Sequence, residues 1–249
     1  MKKEKPEYLY KYRPINTHTI NMILSNEAYF SLPIDFNDPF DCNVVPESIY
    51  TPEEHRNYLN FIKEELTPED FKYLKEDTIK ALEYTFKGTF ENIRNGLRMF
   101  CLSEINNSVM MYSHYANSHK GICLEFIVSD DPFYGILESV NYHEKIPTFH
   151  PFSEDHSLPP KELIQIEVFT KSCSWSYEQE WRIIKDGPDP MLYKFPPNIL
   201  SSIIFGCRTS PDDKLLIKRL IENRVPSIQL KEAIKKEYSF DLEIKSYES

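Results

Sequence analysis

Ser176-Tyr177-Glu178-Gln179-Glu180-Trp181-Arg182-Ile183-Ile184 is where this chain carries its densest chemistry. Written as a strand, the run places Glu178, Glu180 and Arg182 on one face, because strand side chains alternate with a period of two. Tyr177, Gln179, Trp181 and Ile183 fall on the other face, and the aromatic and β-branched content suits a strand. Carboxylates two residues apart on a strand face lie roughly 7 Å from each other, close enough to act on one small ligand. A solvated strand face would carry the same pattern.

Arg13 ends a first strand, Tyr8 to Tyr12, and Ser103 ends the run Met99-Phe100-Cys101-Leu102-Ser103. An arginine grips phosphate as a fork, a hydroxyl orients a sugar, and a glutamate stabilises positive charge developing at an anomeric carbon. The plainer alternative pairs Arg13 with a surface acid, gives Ser103 a turn and turns the glutamates to water. His114 has the pKa range for acid–base work, or serves in packing. Trp175 and Trp181 fit core anchors better than base-stacking platforms.

Other chemistries find little support. None of the six glycines forms a GxGxxG or GxxxxGK cradle, and no GxSxG elbow occurs. His114 and His119, five apart in an expected helix from Ser108 to His119, point away from each other. Asp35, Asp38 and Asp41 could ligate a hard cation, but Asn37 and Pro39 among them favour local Asx turns. We expect no metal.

The elements that must position these groups alternate irregularly. Strands are expected at Ala28 to Leu32, Arg98 to Ser103, Gly121 to Val128, Ile136 to Tyr142, Ile164 to Thr170, Tyr177 to Ile184 and Ser201 to Phe205. A short helix is expected over Asn16 to Leu24 and another over Pro211 to Asn223. From Thr51 to Asn95 the pattern is helical, with capping signals at Thr51 and Thr67 and a stripe of Tyr58, Leu59, Ile62 and Leu66. Between Glu144 and Pro160 the chain reads as a surface loop. The expectation is an α+β fold with a mixed, mainly antiparallel sheet and a helical insertion after the second strand. We read 1–249 as a single domain, with a helical subregion at about 51–95.

Hydrophobic residues make up 41% of the 249, and the formal net charge is −10. The first value fits a packed globular core and the second argues against nucleic acid as the main partner. No apolar run is long enough for a bilayer. The N-terminal residues lack a signal peptide's apolar core, and the five scattered cysteines fit a reduced cytoplasm.

Several segments together resemble an uncharacterised bacterial family, the domain of unknown function 2971. They are Leu9-Tyr10-Lys11-Tyr12-Arg13, Tyr29 to Pro33 with Phe36 to Asp41, Cys101 to Glu104, Ser113 to Phe126, Trp175 to Arg182 and Ile203 to Gly206. The order arginine, strand-end serine, Glu-x-Glu also looks like the layout of ADP-ribosyltransferases. That resemblance implies an NAD-using enzyme, with Arg13, Tyr12, Ser103 and Arg182 toward NAD. It implies Glu180, with Ser103, at the nicotinamide ribose and Glu178 aiding a nucleotide or protein acceptor; His114 is a further catalytic candidate on its own acid–base chemistry. A toxin or phage-defence effector would fit; a non-catalytic binding or regulatory module is the other expectation. Ser103 departs from the layout, standing in Leu-Ser-Glu where those enzymes have Ser-Thr-Ser.

Overall fold

The computed structural model describes residues 3–42, 90–147, 160–187 and 191–248, with isolated positions 53, 57, 60, 67 and 88. The fold is α+β, built on a mostly antiparallel sheet. The chain divides into two compact units.

The first unit, Met1–Ser31, Leu97–Val140 and Ser174–Ser249, carries an eight-stranded sheet. Its strands are β1 (Tyr8–Arg13), β3 (Leu97–Ser103), β4 (Ile122–Ile127), β5 (Ile136–Ser139), β8 (Glu180–Asp186), β10 (Leu200–Phe205), β11 (Gln229–Lys235) and β12 (Leu242–Ser246). They lie in the order β12-β11-β10-β4-β1-β3-β8-β5. Only β10 and β11 run parallel in it. β2 (Glu27–Tyr29) and β9 (Leu192–Lys194) form a small separate pair.

Period-two alternation sorts the sheet into two faces. Leu9, Phe100, Leu124, Ile183 and Ile203 point to one face and bury against helices α1 (Thr17–Ser25) and α4 (Pro211–Ile221), through Met22, Ile23 and Ile217. Tyr10, Tyr12, Cys123 and Ile204 point to the other, under Met111 and Tyr112 of α2 (Val109–Tyr115). Side-chain caps start these helices: Asn16, Ser108 and Ser210 accept from the Thr19, Met111 and Asp213 backbone N–H groups.

The second unit, Leu32–Gly96 and Asn141–Cys173, contains a parallel pair, β6 (Asn141–His143) with β7 (Thr170–Ser172), and helix α3 (Pro160–Phe169). The expected strand over Ile164 to Thr170 is therefore a correction: helix runs to Phe169, and only Thr170 is extended. A short apolar run suits either state. The expected strand Ile136 to Tyr142 divides between β5 and β6. Asp38 makes the local turn expected of it, accepting from Phe40 N at 3.0 Å, and Asp41 pairs with Lys171 at 3.3 Å. In the stretch 51–95, positions 53, 57, 60, 88 and 90–95 are helical. The capping signals at Thr51 and Thr67, the Tyr58–Leu66 stripe and the loop at 148–159 lie outside what the structure describes.

Candidate active site

Register puts five polar residues in one row across five strands. Glu180 on β8 pairs with Ser103 on β3, Ser103 with Tyr10 on β1, Tyr10 with Glu125 on β4, and Glu125 with Ser202 on β10. All five are buried. Buried charge needs partners, and each carboxylate in the row has them.

Glu180 is held by Arg182, two residues along the same strand face. Nε donates to Oε1 at 2.8 Å and the guanidinium's second nitrogen to Oε2 at 3.1 Å. Arg182 is 0% exposed, so it positions Glu180 and does not itself present to a ligand. Cys101, opposite Arg182, has its thiol pKa raised by burial and by Glu180. Glu125 accepts from Ser201, Ser202 and both ways from Lys231. Burial pushes its pKa up, but the hydrogen bonds from Ser202, Lys231 and Ser201 outweigh that and hold it below the ordinary value. Burial, with Glu125 next, pushes Tyr10 up to about 12.

Glu178 does not share the strand. Cys173–Glu178 form a 3-10 turn, Gln179 adopts φ +42°, and β8 begins only at Glu180. A left-handed residue breaks the alternation, so the shared face extends over Glu180 and Arg182 alone. Glu178 is nonetheless buried, its Oε1 accepting from the Tyr115 hydroxyl of α2 at 2.6 Å. Neither glutamate faces water as the plainer alternative required. Ser103 Oγ donates to the Glu178 carbonyl at 2.6 Å and accepts from Ile105 N at 3.1 Å, tying the strand end to the turn. His114, exposed on α2, sits with its ring 6.0 Å from Tyr177 and 6.2 Å from Tyr115.

Tyr12 lies on the face of this row, but its hydroxyl anchors a loop, donating to Ile105 O at 2.6 Å. Arg13 lies elsewhere. It is three residues from Tyr10, an odd number, and so belongs to the opposite face, where Nε donates to Thr19 of α1 at 3.3 Å. Its guanidinium is half-buried, its pKa lowered by that burial, and it meets no carboxylate among the described residues. The structure thus joins Ser103, Glu178, Glu180, Arg182 and Tyr12, sets His114 at their margin, and leaves Arg13 across the sheet.

β1 and β3 share a single registered pair, Tyr10 with Ser103. Beyond it the ladder lapses, and the Lys11 ammonium fills in, donating to Cys101 O at 2.6 Å above the Phe100 ring at 4.7 Å. Lys11 as a residue is partly exposed, but its ammonium is desolvated there, which lowers its pKa.

Tyr10 and Glu125 escaped the sequence reading, although signals existed. Tyr8, Tyr10 and Tyr12 alternate, and Glu125 is the lone charge inside an apolar strand.

Among the described residues no helix is long and apolar enough to cross a membrane, and no group of three His, Cys, Asp or Glu side chains could hold a metal. No curated protein and no solved structure matches the chain. Residues 111–183, which run from within α2 through β4 to the Glu178–Arg182 segment, match the family described as Protein of unknown function (DUF2971), bearing out the resemblance carried by those motifs.

Proposed function

We propose that the protein is an NAD-dependent ADP-ribosyltransferase-like enzyme, acting in the bacterial cytoplasm as a toxin or phage-defence effector. The observation that carries this is the pairing of strand-end Ser103 with Glu180 on the adjacent strands β3 and β8. No match to a known protein supports the reading; it rests on these strands and their register.

In this scheme NAD is the substrate. Glu180, fixed by Arg182, lies against the nicotinamide ribose and stabilises positive charge as the C1′–N bond breaks. Nicotinamide leaves with the bonding pair. A nucleophile on a nucleotide or protein acceptor then bonds to C1′ and loses its proton toward Glu178. Ser103 orients the ribose side. Arg13, on the opposite sheet face beside Thr19, takes no part in this scheme.

A second reading, binding without turnover, is favoured by one feature: both oxygens of Glu180 are already engaged by Arg182. Calorimetry with NAD, paired with chromatography for nicotinamide, separates the two. Binding with release supports the enzyme. Binding without release supports the module. No binding removes NAD from both.

A further inference from the structure

The Ser113–His119 stretch and Gly206 belong to family-like motifs that the NAD scheme leaves unused, and they meet on the first unit. Asn117, Ser118 and His119 have φ of 46°, 54° and 70°, three consecutive left-handed residues, none of them glycine. Such strain persists only where surroundings over-determine it. Here His119 N donates to Tyr112 O at 3.1 Å, and Arg208 N to His119 O at 3.0 Å. A Cβ on Gly206 would stand 2.2 Å from His119 O, so only glycine lets the end of β10 come this close.

That approach sets Cys207 beside the imidazole. Sγ lies 3.7 Å from His119 Nδ1, and Ser113 Oγ lies 2.9 Å from Nε2. The Tyr112 ring stacks on the imidazole with centroids 5.8 Å apart. Nucleophile, base and orienting group stand in line. We propose that Cys207 is a reactive thiol that takes small anionic electrophiles, with His119 as its base and Ser113 as a positioning residue.

The charged surroundings agree. Burial first, then Arg208 and Lys235, lowers the His119 pKa, so the imidazole is neutral and able to accept a proton near pH 7. The same two cations draw an anion toward the imidazole and the thiol beside it. The other titratable groups packed there, Tyr112 and Cys123, are kept neutral by burial. With iodoacetate as electrophile, Sγ bonds to the methylene carbon, the C–I bond breaks and iodide leaves with the pair. The thiol proton passes to Nδ1 and on to water.

Cys173 is exposed and serves as the internal reference. Native protein is treated with limiting iodoacetate at pH 7, and peptide mass spectrometry gives the rate at each cysteine. Cys207, though less exposed, should react at least about tenfold faster, because a base stands 3.7 Å from its thiol. His119→Asn, which tolerates the left-handed backbone, should bring the rate down to that of Cys173. Ser113→Ala should lower it partway. Without any variant, the iodoacetate-to-iodoacetamide rate ratio should be higher at Cys207 than at Cys173. Labelling of Cys207 no faster than Cys173 overturns the proposal, as does a ratio equal at the two sites.

Discussion

Glu180 and Arg182 form a closed two-point ion pair along one strand, 2.8 and 3.1 Å, with Arg182 fully out of contact with water. Removing either partner takes the two-point hydrogen bond from a buried charge. Glu180→Ala or Arg182→Met should each lower stability by about 3–5 kcal/mol. The double Glu180→Leu/Arg182→Met variant should lose clearly less than the sum. Urea unfolding monitored by tryptophan fluorescence gives all three values.

Ser202 and then Lys231 offset the burial of Glu125 and shape its acid response. The folded pKa of this carboxyl is lowered, so its contribution is present above the ordinary carboxylate range and fades as pH falls through the folded value. Lys231→Met should flatten the stability profile between about pH 3 and 5 while leaving its slope near neutrality unchanged. Thermal melts across that window measure it. A variant profile parallel to wild type would exclude this pairing.

Tyr115→Phe deletes the hydroxyl that Glu178 accepts at 2.6 Å. The expected cost is about 1–3 kcal/mol, because a buried acceptor loses a donor. Tyr12→Phe, which loses a bond to the Ile105 carbonyl, should cost less, about 0.5–1.5 kcal/mol. Equal losses would mean that Glu178 is not relying on α2.

Gly121→Ala and Gly206→Ala test the crossing beneath α2. A Cβ would meet Arg13 O at 2.3 Å in one case and His119 O at 2.2 Å in the other. Backbone must move, and each change should cost about 3 kcal/mol or more. Gly96→Ala, where nothing lies within 4 Å, is the control and should not destabilise.

Much of the frame was legible because near-continuous apolar runs such as Leu97–Ser103 and Ile122–Ile127 are bounded by glycine and turn residues. The strand across Glu178 was misread, since nothing in Tyr-Glu-Gln-Glu-Trp announces a left-handed Gln179. Side-chain parity within a strand is a local property, so Glu180 and Arg182 on one face followed from spacing. Which face Arg13 shares with Ser103 depends on register between strands 90 residues apart, and spacing carries no such information. Helix α2 was drawn too long because Asn117 and Ser118 are ordinary enough helix residues until Gly206 packs against His119.

Nicotinamide release from NAD, followed by chromatography over time, bears most directly on the Ser103–Glu180 pair. Wild type should liberate nicotinamide, and Glu180→Gln, which keeps an acceptor for Arg182, should fall by about 100-fold or more with its fold intact by circular dichroism. A wild-type protein that liberates none, or a Glu180→Gln protein as fast as wild type, would contradict the enzymatic account.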